Sequence, residues 1–278
     1  MSRKISQTFQ DFFDSEVKRA YGDYSVLQDK VYTKGNIVGK RVAFRKKGKG
    51  MATRHIPGAD VTAMNVTYEQ VWCELEDWEA FDYVDKFDAK KINYNEVTEL
   101  AEVAADCLGL RIDQIIIDKM AAGYDTVKMK VGTTNTALTV ATLRAAVRKL
   151  NANSVPSTER YFAHTAQQLD DLLGTTEATS KDFNSVQALV DAELKRFLGL
   201  EFVMIGERDE GGLPVSGDDV TGFVWHKRAV GFSKAQNLET SMDWIPEKRS
   251  YLVGGDFSAG ATVIDDRGVV GVISKKGE

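Results

Sequence analysis

The densest group of reactive side chains lies between residues 69 and 88, where carboxylates far outnumber bases. Two carboxylates can act as general acid and base, but no residue type in this stretch stands out as their catalytic partner. The carboxylates are Glu69, Glu74, Glu76, Asp77, Glu79, Asp82, Asp85 and Asp88. The stretch therefore predicts an acidic surface.

Metal ligands are also sparse in the sequence. His55, His164 and His226 are far apart, and none has a Cys or His at ligand spacing. His164 and His226 lie in predicted strands beside aromatic residues, which favours structural roles. Asp218–Asp219 and Asp265–Asp266 can bind calcium as loop carboxylates, but neither pair has EF-hand spacing and solvated turn acids are commoner. We predict no metal site.

Two short motifs approach known catalytic patterns. Gly35 to Arg41 has some likeness to a phosphate-binding P-loop, but its glycine spacing is one residue short. Arg41 also replaces the Ser or Thr that holds magnesium. Ser15 to Lys18 matches Ser-x-x-Lys without the companion motifs. The sequence therefore predicts no enzyme, no catalytic residue and no cofactor.

Composition indicates an ordinary globular protein with a sizeable core. The chain has 278 residues, 28% of them charged and 43% hydrophobic, and a net charge of −5, which is no polyanion-binding signature. No apolar run approaches a membrane span and no signal peptide is evident, so we expect the chain to be made and kept in a cytoplasm. Cys73 and Cys107 lack paired spacing and are expected to be reduced and partly buried.

The segment that must organise the rest is Asn93 to Gly123. Its apolar residues recur with the spacing of one helical face, Asn93 and Glu96 suit an N-terminal cap, and Gly123 suits a C-terminal stop. The pattern predicts a helix of about 45 Å. By itself this helix fits equally well in the core of an enzyme.

Residues Gly39 to Leu75 predict a long β-hairpin with a wide Gly-rich tip. Its first strand and tip are basic from Lys40 to Arg54, and its second strand leads into the acidic stretch. Two interpretations carry equal weight. The opposite charges can pair across the strands of one hairpin, or the basic tip can project onto an acidic patch of the next copy.

An N-terminal helix, Thr8 to Tyr21, carries Phe9, Phe12 and Phe13 on one side, with nothing nearby in sequence to cover them. We expect this stripe to contact the main body or a neighbouring subunit. The remaining pattern predicts strands at 127–131, 160–164, 198–205, 221–232, 250–253, 261–264 and 269–273, helices at 136–150 and 167–173, a helical or turn-like segment at 183–190, and a mobile loop at 207–219.

The order of these elements resembles that of tailed-bacteriophage major capsid proteins with the Hong Kong 97-like fold, most closely those of short-tailed phages. The resemblance extends over nearly the whole chain, and no single catalytic motif anchors it. The segments that carry it are FFDSEVKRAYGDYSVLQDKVYTKGNIVGKRVAF, HIPGADV, VTYEQVWCELEDWEAFDYVDKFD, ELAEVAADCLGLRIDQIIIDKM, NSVPSTERYFAHTAQQLDDLL, FLGLEFVMIGE, FVWHKRAVGFSKA and GATVIDDRGVVGVIS.

The resemblance implies an α+β fold in four parts. Residues 1–36 would be an N-terminal arm, and residues 37–87 an extended β-hairpin loop with its return strand. Residues 88–126 together with 234–278 would form a peripheral (P) domain around a spine helix at 93–122. Residues 127–233 would form an α/β axial (A) domain.

It also implies a function. Copies would assemble as pentamers and hexamers into an icosahedral shell around double-stranded DNA, with weak DNA contact, a portal and, because the arm starts almost at Met1, a separate scaffolding protein. The protein would be located in the virion after assembly in the host bacterial cytoplasm. Inter-subunit contacts are expected at Arg45, Lys46, Lys47, Lys49, Arg54, Glu74, Glu76, Asp77, Phe9, Phe12 and Phe13.

Three alternatives stay open at this point. A nucleic-acid-binding protein would use the basic segment 40–54 and bind with a steep salt dependence. An encapsulin-like compartment would share the shell fold and enclose enzyme cargo, although the arm and hairpin favour a short-tailed phage. An enzyme would contain a defined metal or cofactor.

Overall fold

The computed structural model of the chain describes residues 25–35, 39–48, 50–58, 60–61, 63–85, 96–174, 196–207 and 210–277. Within these ranges the chain forms three α-helices and thirteen β-strands in three sheets, which confirms the predicted α+β class. The helices are α1 (Glu96–Gly123), α2 (Val140–Ala152) and α3 (Ala166–Leu173). The strands are β1 (Tyr32–Lys34), β2 (Arg41–Lys47), β3 (Tyr68–Glu74), β4 (Glu76–Asp85), β5 (Lys130–Val131), β6 (Arg160–His164), β7 (Arg196–Phe197), β8 (Leu200–Met204), β9 (Val215–Ser216), β10 (Asp219–His226), β11 (Val230–Ile245), β12 (Ser250–Val263) and β13 (Val269–Lys275).

A seven-stranded sheet forms one body of the molecule. Its order is β5-β13-β10-β6-β8-β7, and β9 pairs with β10 outside this path. The central strand β10 runs antiparallel to both β13 and β6. Because side chains alternate along a strand, Phe223 and Trp225 face one side of the sheet and Val224 faces the other.

Helices cover both faces of this sheet. Phe223 and Trp225 belong to the same buried cluster as Ile112 and Ile116 of α1. Val224 belongs to a second cluster with apolar residues of α2 and α3, among them Leu143. A sheet buried between helical layers explains why its central strands consist almost entirely of apolar residues.

A four-stranded sheet of order β1-β11-β12-β4 forms the second body. Strands β11 and β12 are a long antiparallel pair joined by a short turn. The whole of β4 pairs with residues Ser250–Ala259 of β12. The two short strands predicted at 250–253 and 261–264 are therefore parts of one strand. Gly254 does not mark a turn; a Cβ there would overlap the Ala80 carbonyl oxygen, so glycine permits the close approach of β4.

The strand predicted at 221–232 is two strands in different sheets. A 3-10 turn at Lys227–Ala229 separates β10 from β11. The His226 Nδ1 atom accepts a hydrogen bond of 3.1 Å from the Arg228 amide and so fixes this turn. The chain therefore crosses from the seven-stranded to the four-stranded sheet in three residues.

Local turn chemistry shortens two other predicted strands. The Asp125 carboxylate accepts hydrogen bonds of 2.9 Å from the amides of Val127 and Lys128, so the strand predicted at 127–131 is a turn until β5. Leu198 and Gly199 adopt φ angles of 51° and 76° and form a tight turn between β7 and β8. The strand predicted at 198–205 therefore begins only at Leu200.

Three predicted elements are confirmed in type and place. Strand β6 is buried along its full length, as expected. Helix α2 begins later than predicted, because the Thr139 side chain caps it by accepting from the Thr142 amide. Helix α3 begins with a capping box between Thr165 and Gln168. The segment 183–190 lies outside the described residues.

Helix α1 has 28 residues and is about 42 Å long. Its buried face includes Leu108, Ile112 and Ile116, as the sequence pattern predicted. The stop predicted at Gly123 is wrong in detail, because Gly123 is the last helical residue and has no positive φ. A Cβ at Gly123 would lie 2.6 Å from Val263 Cγ2, so glycine allows β12 to pack closely. The predicted cap Asn93 lies outside the described residues.

A buried carboxylate in the middle of α1 anchors the first described residues of the chain. Asp113 Oδ1 accepts hydrogen bonds from the Ser25 hydroxyl at 3.0 Å and the Leu27 amide at 3.1 Å. Asp113 Oδ2 accepts from the Val26 amide at 3.2 Å. These bonds attach residues 25–27 to the middle of the long helix.

Candidate inter-subunit surfaces

The predicted β-hairpin is present as an antiparallel pair of strands. The register places Arg41 opposite Glu74 and Lys47 opposite Tyr68. The backbone bond from the Gly48 amide to the Thr67 carbonyl, 2.9 Å, closes the regular part. We call β2 and β3 the hairpin, and residues 48–67 between them the tip.

The inner face of the hairpin packs on its own subunit. Val42, Phe44 and Cys73 are buried and form a small apolar cluster with Ile264, just after β12. A Cβ on Gly231 would lie 2.9 Å from the Phe44 ring, so glycine in β11 makes room for this ring. Burial raises the pKa of the Cys73 thiol to about 11, which keeps it an inert, protonated core residue.

Lys46 extends the inner-face contact with an ionic one. Its Nζ atom lies 2.9 Å from Asp266 Oδ1 and 3.3 Å from Asp265 Oδ1. Burial opposes the shift, but the hydrogen bonds and charges of these two carboxylates outweigh it and raise the pKa of Lys46. The hydrogen bond from Lys46 in turn lowers the pKa of Asp266. The turn that carries Asp265 and Asp266 is therefore a contact site for the hairpin on its own subunit.

Charge pairing across the hairpin strands is only partial. Arg41 and Glu74 form a cross-strand ion pair of 2.9 Å. Lys46 stands opposite Glu69 in the register but makes its ion pairs with the body of the subunit. Pairing of opposite charges across the strands of one hairpin, the first of the two interpretations drawn from the sequence, thus occurs at the end of the hairpin near Arg41.

The outer face of the hairpin is exposed and mixes aromatic with basic side chains. Tyr68 is 66% exposed and Trp72 54% exposed, and the strand register puts them opposite Lys47 and Ala43. Arg45 and Lys47 are exposed on the same face. This surface has aromatic area for packing and cationic groups for pairing with carboxylates.

The tip exposes apolar side chains that its own subunit leaves uncovered. Val61 is 93% exposed, and three other apolar residues of the tip are also exposed: Met51, Ile56 and Met64. Arg54 and His55 are exposed beside them. Such a concentration of apolar side chains on a projecting loop is typical of a surface that another protein covers.

Strand β4 presents a complementary acidic edge. Within the described residues β4 pairs only with β12, so its second edge is open. Exposed Glu76, Asp77, Glu79 and Asp82 line the strand, and Glu76 also lies 3.6 Å from Lys119 Nζ of α1. Charged side chains on an edge strand oppose unspecific strand addition and leave a surface suited to a basic partner.

The predicted contact residues thus fall into three groups. Arg45, Lys47 and Arg54 are exposed on the hairpin and tip, whereas Lys46 is engaged within the subunit. The acidic residues Glu74, Glu76 and Asp77 lie at the end of the hairpin and the start of β4. Lys49 and the N-terminal Phe9, Phe12 and Phe13 lie outside the described residues. Whether any of them meets a second copy stays a prediction.

Sequence reasoning missed two features of these surfaces. Tyr68 and Trp72 alternate with the inward-facing Val71 and Cys73, and this alternation was a signal that they face outward. The role of Asp265–Asp266 as the partner of Lys46 had no local signal, because the residues are far apart in the chain.

His164 and His226, for which structural roles were expected, are both buried in the subunit. His164 is buried between the rings of Phe162 and Phe202, its Nδ1 lies 3.0 Å from the Thr165 carbonyl, and burial lowers its pKa. Burial likewise lowers the pKa of His226.

Cys107 is exposed, contrary to the expected partial burial. In the described part of the chain, no cluster of three or more His, Cys, Asp or Glu is placed to hold a metal ion, and no helix is long and apolar enough to cross a membrane.

Solved structures with the same fold are capsid proteins and a virus-like particle. The capsid structure of cyanophage P-SCSP1u matches with a TM-score of 0.71 at 17% identity, covering 91% of this chain and 89% of that one. The capsid of Helicobacter pylori bacteriophage KHP30 matches with a TM-score of 0.72 at 12% identity, covering 99% and 93%. A virus-like particle from Pyrococcus furiosus matches with a TM-score of 0.63 at 11% identity, covering 95% and 98%.

No curated protein matches the sequence. The family model described as "Phage capsid protein" matches residues 5–275, nearly the whole chain. The long spine helix, the two sheets and the projecting hairpin agree with the expected Hong Kong 97-like architecture. On this match and this fold, the chain belongs to the phage capsid protein family and is a structural subunit of a capsid shell.

Proposed function

We propose that this major capsid protein assembles as pentamers and hexamers into an icosahedral head that encloses double-stranded DNA. The observation that supports this best is the hairpin, which is anchored on its own subunit while its tip exposes apolar side chains. A neighbouring copy can cover that tip, and repeated modest contacts of this kind stabilise a closed shell through multivalency.

The contact surface of the hairpin is its outer face together with the tip. Arg45, Lys47 and Arg54 bring positive charge, and the acidic edge of β4 on a second copy offers the opposite charge. Exposed ion pairs contribute little stability each, so these charges select the register while the apolar side chains supply affinity. Phe9, Phe12 and Phe13 add a second apolar contact in this proposal.

The proposed axial domain comprises residues 127–233 and the proposed peripheral domain residues 88–126 with 234–278. The sheets depart from these bounds in two places, because β13 pairs with β10 in the seven-stranded sheet and β11 enters the four-stranded sheet already at Val230. The hairpin forms the extended loop, and the 207–219 region is a candidate for contacts at the symmetry axes.

Further partners follow from the same assembly. A separate scaffolding protein guides closure in the host cytoplasm, and a portal occupies one vertex. A net charge of −5 suits weak contact with packaged DNA rather than tight binding. The subunit has no enzymatic role in this proposal and resides in the virion.

Sedimentation and negative-stain microscopy of the purified full-length chain at rising concentration, alone and with a crowding agent, test the proposal. Rings or closed shells of capsid size are the expected result. An Arg45→Glu, Lys47→Glu, Arg54→Glu variant should fold normally but fail to close shells. Subunits that stay monomeric and bind DNA with a steep salt dependence would contradict the proposal.

A further inference from the structure

The basic residues of the hairpin divide between two faces, and this division separates two roles. Lys46 and Lys47 are neighbours on β2, so their side chains point to opposite sides of the strand. Lys46 points toward its own subunit, where it is held by two carboxylates, whereas Lys47 is exposed on the outer face.

The acceptor of Lys46 is a rigid turn. Asp265 precedes the 3-10 turn Asp266–Gly268, and its Oδ1 atom accepts a hydrogen bond of 3.3 Å from the Arg267 amide. The amides of Ile264 and Asp265 both donate to the Ala229 carbonyl, at 2.8 and 3.2 Å. The backbone that carries both carboxylates, and the Asp265 side chain, are therefore held by bonds that do not involve Lys46.

Lys46 lies at the end of the hairpin next to the tip. Nearer the base, Cys73 and Phe44 pack into the body, where Gly260 and Gly231 make room for them. Lys46 lies two residues before Gly48, where the tip begins. Lys34 Nζ also donates a hydrogen bond of 2.8 Å to the Ala43 carbonyl nearer the base, so the Lys46 contact adds an attachment at the end from which the tip extends.

We propose that Lys46, clamped between Asp265 and Asp266, is the positioning residue that sets the angle of the hairpin on its own subunit. It is not a contact to a neighbouring copy. The clamp is ionic and only partly buried, with Lys46 25% exposed, so salt weakens it.

Hydrogen–deuterium exchange of the unassembled full-length chain tests this proposal without reference to shell formation. In Lys46→Glu the amides around Gly48 and Thr67 should exchange faster, on the order of tenfold, since attraction is replaced by repulsion. Lys47→Glu is the matched control, because it makes the same charge change one residue away on the exposed face. Its exchange should stay within about twofold of the parent chain.

Rescue and salt distinguish a specific clamp from general loosening. Lys46→Arg, and the swap of Lys46→Asp with Asp266→Lys, should restore slow exchange. Raising the ionic strength should accelerate exchange in the parent chain and slow it in Lys46→Glu, because salt screens the attraction in the parent and the repulsion in the variant. Exchange in β10 and β13 reports on global folding in the same sample. Equal exchange in Lys46→Glu and Lys47→Glu, or failure of both rescues, would overturn the proposal.

Discussion

Asp113 is completely buried, and its carboxyl oxygens accept three hydrogen bonds from residues 25–27. We expect Asp113→Ala to lower the free energy of unfolding by about 2–4 kcal/mol, because it leaves buried donors without an acceptor. Urea unfolding followed by circular dichroism measures the loss. Ser25→Ala removes one hydrogen bond and should cost about 1 kcal/mol. Equal losses in the two variants would mean that Asp113 does not anchor the segment through its backbone bonds.

Asp266 gives the molecule a pH-dependent contribution to stability. Its pKa is lowered in the folded state by the hydrogen bond from Lys46, so its ionised form stabilises the fold at neutral pH. This contribution is lost as the pH falls through the lowered folded-state pKa, below the ordinary value of 3.8. The charged groups that act on Asp266 are Lys46 and Asp265, and Asp266 in turn interacts with Asp125.

The Asp266→Asn variant should therefore be less stable than the parent chain at pH 7, and the difference should shrink as the pH falls below the ordinary carboxyl range and through the lowered folded-state pKa. Urea midpoints at several pH values measure this convergence. Asp218→Asn, which removes an exposed turn carboxylate, is the control and should show little difference at any pH. A gap between Asp266→Asn and the parent chain that does not shrink as the pH falls below the ordinary carboxyl range would contradict the ionic origin.

The hairpin is held on the body by shape as well as by charge. Gly260 in β12 faces the base of the hairpin. A Cβ at Gly260 would overlap the Glu74 carbonyl oxygen and lie 3.0 Å from Cys73 Sγ. We expect Gly260→Ala to cost about 1–3 kcal/mol, because backbone atoms must separate. Thermal unfolding measures the loss. Gly35→Ala, with nothing within 4 Å and no positive φ, should be neutral or slightly stabilising. A neutral Gly260→Ala would mean that the hairpin base adjusts freely.

Several elements were predictable because their signals are local. The buried face of α1 follows from helical spacing, and the strands of the hairpin follow from alternation around Phe44 and Cys73. Helix α3 follows from its capping box and its apolar pattern. In each case the element buries only one of its faces, so the spacing of the apolar residues along the sequence indicates which side chains are buried.

The elements that were predicted wrongly depend on contacts with residues far away in the sequence. Strand β12 looked like separate short strands because its glycines resemble turn residues, whereas they allow β4 and the hairpin to approach. The break at Lys227–Ala229 lies inside an apolar run that continues in a different sheet. The Lys46 clamp joins residues more than two hundred positions apart, and no local pattern encodes such a pair.

The tip of the hairpin carries a group of exposed apolar side chains, and their position away from the core separates stability from assembly. Replacing Met51, Val61 and Met64 by Ser should change the free energy of unfolding by less than about 0.5 kcal/mol, because exposed side chains lose little on mutation. Assembly should fail or require a much higher concentration, since the apolar contact with a neighbour is lost. Val127→Ser is the control, because Val127 is 85% exposed but lies away from the tip. Light scattering and electron microscopy measure shell formation. Normal assembly of the triple variant would show that the tip is not covered by a neighbour, whereas failure of both variants would show only that the shell is sensitive to any loss of exposed apolar surface.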